Sequence, residues 1–94
     1  MSYAEYLEFA GKCDAIKQSI TNDISYYKRA VGDVATSYRR VILDKCFQLA
    51  SIQGKFYYKQ MEECVRLQNL VEGATPQMTE EEWATLLSSI SSAQ

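Results

Sequence analysis

Ninety-four residues are enough for one domain with a modest core. At 47% hydrophobic residues the chain is too apolar to be disordered. A net charge of −2, from 10 basic and 12 acidic residues, favours neither nucleic acid nor an anionic membrane. Cys13, Cys46 and Cys64 are an odd, widely spaced set. They read as reduced, buried thiols of a reducing compartment. With no His in the chain, no metal site is expected.

The N-terminus carries Glu5, Glu8, Lys12 and Asp14, with no apolar stretch of signal-peptide type. No apolar run reaches the ~18 residues that a membrane helix needs. The expectation is a cytoplasmic protein without a membrane segment, although secretion without a cleaved signal is compatible with the same residues.

One Pro and four Gly leave few breakers, so helix is expected almost throughout. The first helix opens on Ser2-Tyr3-Ala4-Glu5, a capping box with Met1 and Tyr6 at the hydrophobic-staple positions. In heptads counted from Tyr3, position a holds Tyr3, Ala10, Lys17, Ile24, Val31, Tyr38 and Lys45. Position d holds Tyr6, Cys13, Ile20, Tyr27, Val34, Val41 and Gln48, so eleven of the fourteen are apolar. Beyond Val41 the stripe drifts to Ile42, Cys46 and Leu49, as a straight helix requires. The seam keeps its phase across Gly32. This predicts one long helix over about 3–52, with Gly11 and Gly32 on its outer face.

At Gly54 the phase slips by about one residue, and a turn is expected there. An antiparallel helix over about 55–72 should follow, then a loop over 73–78 around Gly73 and Pro76. The last helix, about 79–92, begins with Thr79 as N-cap, Glu82 at N3, and Met78 and Trp83 as staple. Glu80, Glu81 and Glu82 fill its first turn, where the helix dipole favours acids. The predicted fold is a single all-α domain over 1–94. It is a long N-terminal helix with antiparallel return helices, a helical hairpin or coiled-coil bundle. In that register Trp83, Leu86, Leu87 and Ile90 meet Ile16, Ile20, Ile24 and Tyr27, Glu80 and Glu81 fall near Lys28 and Arg29, and residues 3–14 stay uncovered.

Phe9, Leu43, Phe47, Phe56, Tyr58 and Leu70 lie off the seam, more apolar surface than two helices can bury. The expected function follows from that excess. The chain should be a small protein–protein interaction module that completes a helical bundle with a second copy or another protein, as a secretion cochaperone, an inhibitor or an assembly subunit does. Candidate interface residues are Tyr6, Phe9, Tyr26, Phe47, Phe56, Tyr57 and Tyr58. Trp83, Leu86, Leu87 and Ile90 join them, with the i, i+3, i+4, i+7 spacing of a helix laid in a groove. The same four could instead pack on their own chain.

The alternative is a nucleic-acid-associated protein. Lys28-Arg29 and Arg39-Arg40 lie three turns apart and would share one side of the long helix, with Tyr26 beside them. Intrahelical pairing of Arg29 with Asp33 and of Arg40 with Asp44 is the simpler account, so nucleic acid is the less favoured partner. No catalytic set is legible, since the commonest general base is missing and no Gly-rich phosphate loop appears. Neither an enzyme nor a cofactor is expected.

In length, helicity and lack of a leader the chain resembles the helical-hairpin substrates of type VII secretion. Their Trp-X-Gly turn is absent, as Trp83 is followed by Ala84-Thr85. In size alone it is similar to the small helical cochaperones of type III secretion.

Overall fold

A computed structural model describes residues 2–56 and 67–93, the side chains of 54–56 and 93 excepted. Among the described residues the structure is all-α, without strands. Helix α1 spans Tyr3–Tyr27 and α2 spans Gly32–Phe56. Residues 67–71 are helical and are called α3, and α4 spans Glu80–Ala93.

Both expected helix starts are built as the capping chemistry requires. The Glu5 amide donates to Ser2 Oγ at 3.2 Å. At α4 the box is reciprocal: the Glu82 amide donates to Thr79 Oγ1 and the Thr79 amide to Glu82 Oε1, each at 3.1 Å. Those bonds satisfy donors that the first turn of a helix leaves free. They also hold the exposed Glu82 carboxyl below its usual range.

The single helix expected over 3–52 is not formed. It breaks at Lys28–Val31, and Gly32 takes φ +61. The α1 end is closed by bonds from the Lys28 amide to Ile24 O and from the Arg29 amide to Tyr26 O, both 3.1 Å. The four-residue turn is close to one helical turn of 3.6 residues. Removing it from the count leaves the hydrophobic phase almost unchanged, so the preserved phase carried no information about continuity. Gly32, the first residue of α2, has a left-handed backbone, and an L side chain there would be strained.

The hairpin is therefore α1 against α2. Tyr26 lies beside Tyr38, and Lys45 reaches back to Asp23 and Ser19. Descending numbers on α1 against ascending numbers on α2 make the pair antiparallel. No turn is formed at Gly54 itself, because α2 runs through it to Phe56. Most of the expected helix 55–72 lies outside the described residues. The loop over 73–78 is found, with Gly73 at φ +81 after α3.

The core joins Cys13, Ile20 and Ile24 of α1 to Ile42, Cys46 and Leu49 of α2. Leu67 and Val71 of α3 and Trp83, Leu86, Leu87 and Ile90 of α4 complete it. The Tyr27 and Trp83 rings meet edge to face at 6.0 Å. Ile24 and Leu87 line one groove, so α4 runs antiparallel to the second half of α1. That is the pairing expected for α4, reached by a different chain path. Leu43 is buried and Leu70 packs against the core from its edge.

Candidate interaction surfaces

The half-buried Arg39 organises the junction of three elements. Its Nε donates to the Tyr27 hydroxyl at 3.0 Å. One terminal nitrogen donates to Pro76 O at 2.9 Å and Met78 O at 2.6 Å. The guanidinium also lies 5.5 Å from the Tyr27 ring centre and 5.3 Å from that of Trp83. A planar fork presents its donors to two carbonyls and a hydroxyl in fixed directions, which a flexible ammonium does not. The side chain thereby fixes the α3–α4 loop against the α1–α2 turn.

A second polar contact sits between α1 and α2. Lys45 pairs with the buried Asp23 and donates to Ser19 Oγ at 2.6 Å. Trp83 Nε1 is fully buried and has no hydrogen-bond partner among the described residues. Burial raises both described thiols: the Cys46 thiol is pushed up to about 12, and that of Cys13 rises with help from Asp14 against the opposing charge of Lys17. Such thiols are weak nucleophiles. Among the described residues no group of three or more His, Cys, Asp or Glu is placed to hold a metal ion. No helix of the described residues is long and apolar enough to cross a membrane.

The interface candidates separate into three sets. Trp83, Leu86, Leu87 and Ile90 are inside this chain's own core. Tyr6, Tyr26 and Phe47 are exposed and Phe9 is half-buried. The Phe56 side chain, Tyr57 and Tyr58 lie outside the described residues. Sequence reasoning placed Val31, Val34 and Val41 in the seam, yet they are 83%, 58% and 39% exposed. Helix α2 carries two apolar stripes, and it buries the one through Ile42, Cys46, Leu49 and Ala50. The other remains outside, with the Tyr26 and Tyr38 rings 6.1 Å apart beside it. Tyr3 and Leu7 are a further exposed pair at the start of α1.

The basic stripe expected on one helix is divided. Lys28 and Arg29 lie in the turn, Arg39 and Arg40 on α2. Intrahelical pairing of Arg29 with Asp33 is excluded, because the turn separates them. Arg29 instead lies over the Tyr26 ring and donates to Ser25 O. Lys28 and Arg39 line one groove of about 420 Å³ together with Glu80. A neighbouring groove of about 570 Å³ runs between α1 and α4, lined by Ile24, Leu87, Lys28, Glu80 and Ser88 among others. Its charged groups are one ammonium and one carboxylate, which cancel. Nothing in the sequence marked Arg39 as internal. The cue for the turn was there in Lys28-Arg29 followed by Gly32-Asp33: cations at a helix end, then a Gly and an acidic first turn.

Comparison with protein-family models, with curated proteins and with solved structures gave no match to this chain.

Proposed function

We propose that the chain is a small protein–protein interaction module whose helical bundle is completed by a second copy or by another protein. The observation that carries this reading is the exposure of Val34 and Val41 on α2 and of Val31 in the turn before it, all left outside the core. Contiguous apolar surface of this kind marks association sites on small proteins. Tyr3 and Leu7 add a second exposed apolar pair. A cochaperone, an inhibitor and an assembly subunit share this need for a partner, and none requires catalysis. The reading places the chain in the cytoplasm, in keeping with its free, buried Cys13 and Cys46.

The nucleic-acid reading loses support, because Arg39 is spent on Tyr27, Pro76 and Met78 and the two basic pairs no longer share a helix. The deciding measurement is the sedimenting mass of the protein, both purified and in extract of its source cells. A species heavier than one chain is expected in at least one. A compact single chain in both would refute the reading.

A further inference from the structure

The turn between α1 and α2 is built as a hinge. We propose that it opens, and that two copies of this chain then swap their α1 helices, each α1 closing on α2 and α4 of the other copy. The proposal rests on the interaction-module reading and names a second copy as the partner. Its interface is the α1–α2 contact already formed within the chain.

The hinge is narrow. Beyond Tyr27 the chain keeps winding. Lys28 has helical φ −60 and ψ −21, and the Arg29 and Ala30 amides donate to Tyr26 O and Tyr27 O, both at 3.1 Å. Only Val31 separates this winding from α2, which starts at Gly32 with φ +61. Gly passes between left-handed and right-handed helical backbone without steric cost. Right-handed helical backbone at Val31 and Gly32 therefore lets one helix run through the turn. The residues of the turn itself suit a helix, since Ala30 and Val31 are apolar where turns are ordinarily polar.

Opening keeps the contacts that hold the hairpin. Tyr26 lies against Tyr38, Tyr27 against Arg39, and Ser19 and Asp23 against Lys45, so paired residue numbers sum to between 64 and 68. Two opened chains laid antiparallel preserve that register, with the same pairs now made between copies and a two-fold axis at residues 32–34. The gain lies at the axis. Val31 is 83% and Val34 58% exposed in the hairpin, and they hold seam positions a and d. At the same sums Val31 of one copy lies opposite residues 33–37 of the other, and Val34 opposite residues 30–34. Each therefore faces its counterpart, and two-fold symmetry makes that contact twice. The hairpin keeps the advantage that its two helices share one chain, so the open form is favoured by concentration.

Sedimentation equilibrium of the purified protein over a concentration series should show the single chain giving way to a two-chain species. Gly32→Ala puts a Cβ into open space, opposes the left-handed turn and favours helix in both copies. It should strengthen the two-chain species on the order of a hundredfold. Val31→Asp, harmless to the hairpin at so exposed a position, places a carboxylate at the axis in each copy and should weaken the species about tenfold. A short bismaleimide reads which chain each helix closes on. The carrier is Tyr26→Cys with Tyr38→Cys and Cys64→Ser, the Cys13 and Cys46 thiols being buried. In the two-chain species it should bridge residue 26 of one copy to residue 38 of the other and double the mass on a denaturing gel. Circular dichroism checks the fold of each variant, and the Gly32→Ala series decides alone if the cysteine variant does not fold. A two-chain species bridged only within chains, or unmoved by Gly32→Ala, would overturn the opening and leave the interaction-module reading standing. So would a purified protein, Gly32→Ala included, that stays a single chain while source-cell extract holds a heavier species. A single chain in both would overturn both.

Discussion

Replacing Arg39 by Ala isolates the contact that ties the loop and α4 to the hairpin. The substitution removes a charged donor from the Tyr27 hydroxyl, Pro76 O and Met78 O, and removes the cation from two aromatic faces. Hydrogen bonds to a charged group contribute roughly 1.5–3 kcal/mol each when buried. Arg39 is only half-buried, and the freed carbonyls regain water, so the lower end of each range applies. The ring contacts add about 0.5 kcal/mol each. Together the lower ends come to about 5 kcal/mol; the contacts share one side chain and are not additive, so a loss of about 3 kcal/mol is expected. A chain of this length has a total stability of roughly 5–14 kcal/mol, so the effect is large. In urea the midpoint should fall by about 2 M. Arg39→Lys keeps the charge but not the fork, and should lose about half as much. Trp83 is the only Trp, and its emission reports α4 directly. Its transition in Arg39→Ala should precede the loss of helix by circular dichroism, since α4 is the element released. The exposed neighbour Arg40 provides the control. An Arg39→Ala loss within about 0.5 kcal/mol of that for Arg40→Ala would refute the clasp.

Opposite signs are expected at two glycines. Gly32→Ala forces a side chain into φ +61 and should cost about 1 kcal/mol, whereas Gly11→Ala, in open space within α1, should gain about 0.5 kcal/mol in the same urea titration. Lys45→Met strands the buried Asp23 carboxylate and should cost about 2–3 kcal/mol; Lys45→Met with Asp23→Leu should recover most of that loss. Stability should also fall at alkaline pH. The Cys46 thiol is held neutral by burial up to about 12, while the unfolded chain ionises at its ordinary 9.0, so its contribution is complete below 9.0 and drains away as pH rises between those values. Cys46→Val should flatten that slope in unfolding curves recorded across the range.

The parts of the fold written in short stretches of sequence were legible. Ser2 with Glu5, Thr79 with Glu82, and the Gly73 to Pro76 break are local chemistry, and each is found where the residues place it. The pairing of α4 with the second half of α1 was also legible, because Trp83 and Leu87 meet Tyr27 and Ile24 in descending order. The α1–α2 turn was not, since periodicity reports phase and the turn preserves it. Gly54 itself marks no turn, because α2 runs through it to Phe56; the residues that carry the phase slip lie outside the described residues. Of the candidate interface, Tyr26 and Phe47 stand outside the core, whereas the Trp83 group does not. Arg39 was read as part of a basic stripe because its three acceptors come from residues 27, 76 and 78, which only the folded chain assembles.

The phase-preserving turn has a topological consequence. Straightened through Lys28–Val31, α1 and α2 would form one rod of roughly 80 Å, carrying the same seam from end to end. Hairpin and rod therefore use one hydrophobic code, and the choice between closing that seam within a chain or across two chains falls to the backbone around Gly32. Insertion or deletion of about one helical turn at this point would convert one architecture into the other without changing a core residue. The hairpin end is thus the position at which this sequence has the shortest mutational path to an exchanged, intertwined dimer.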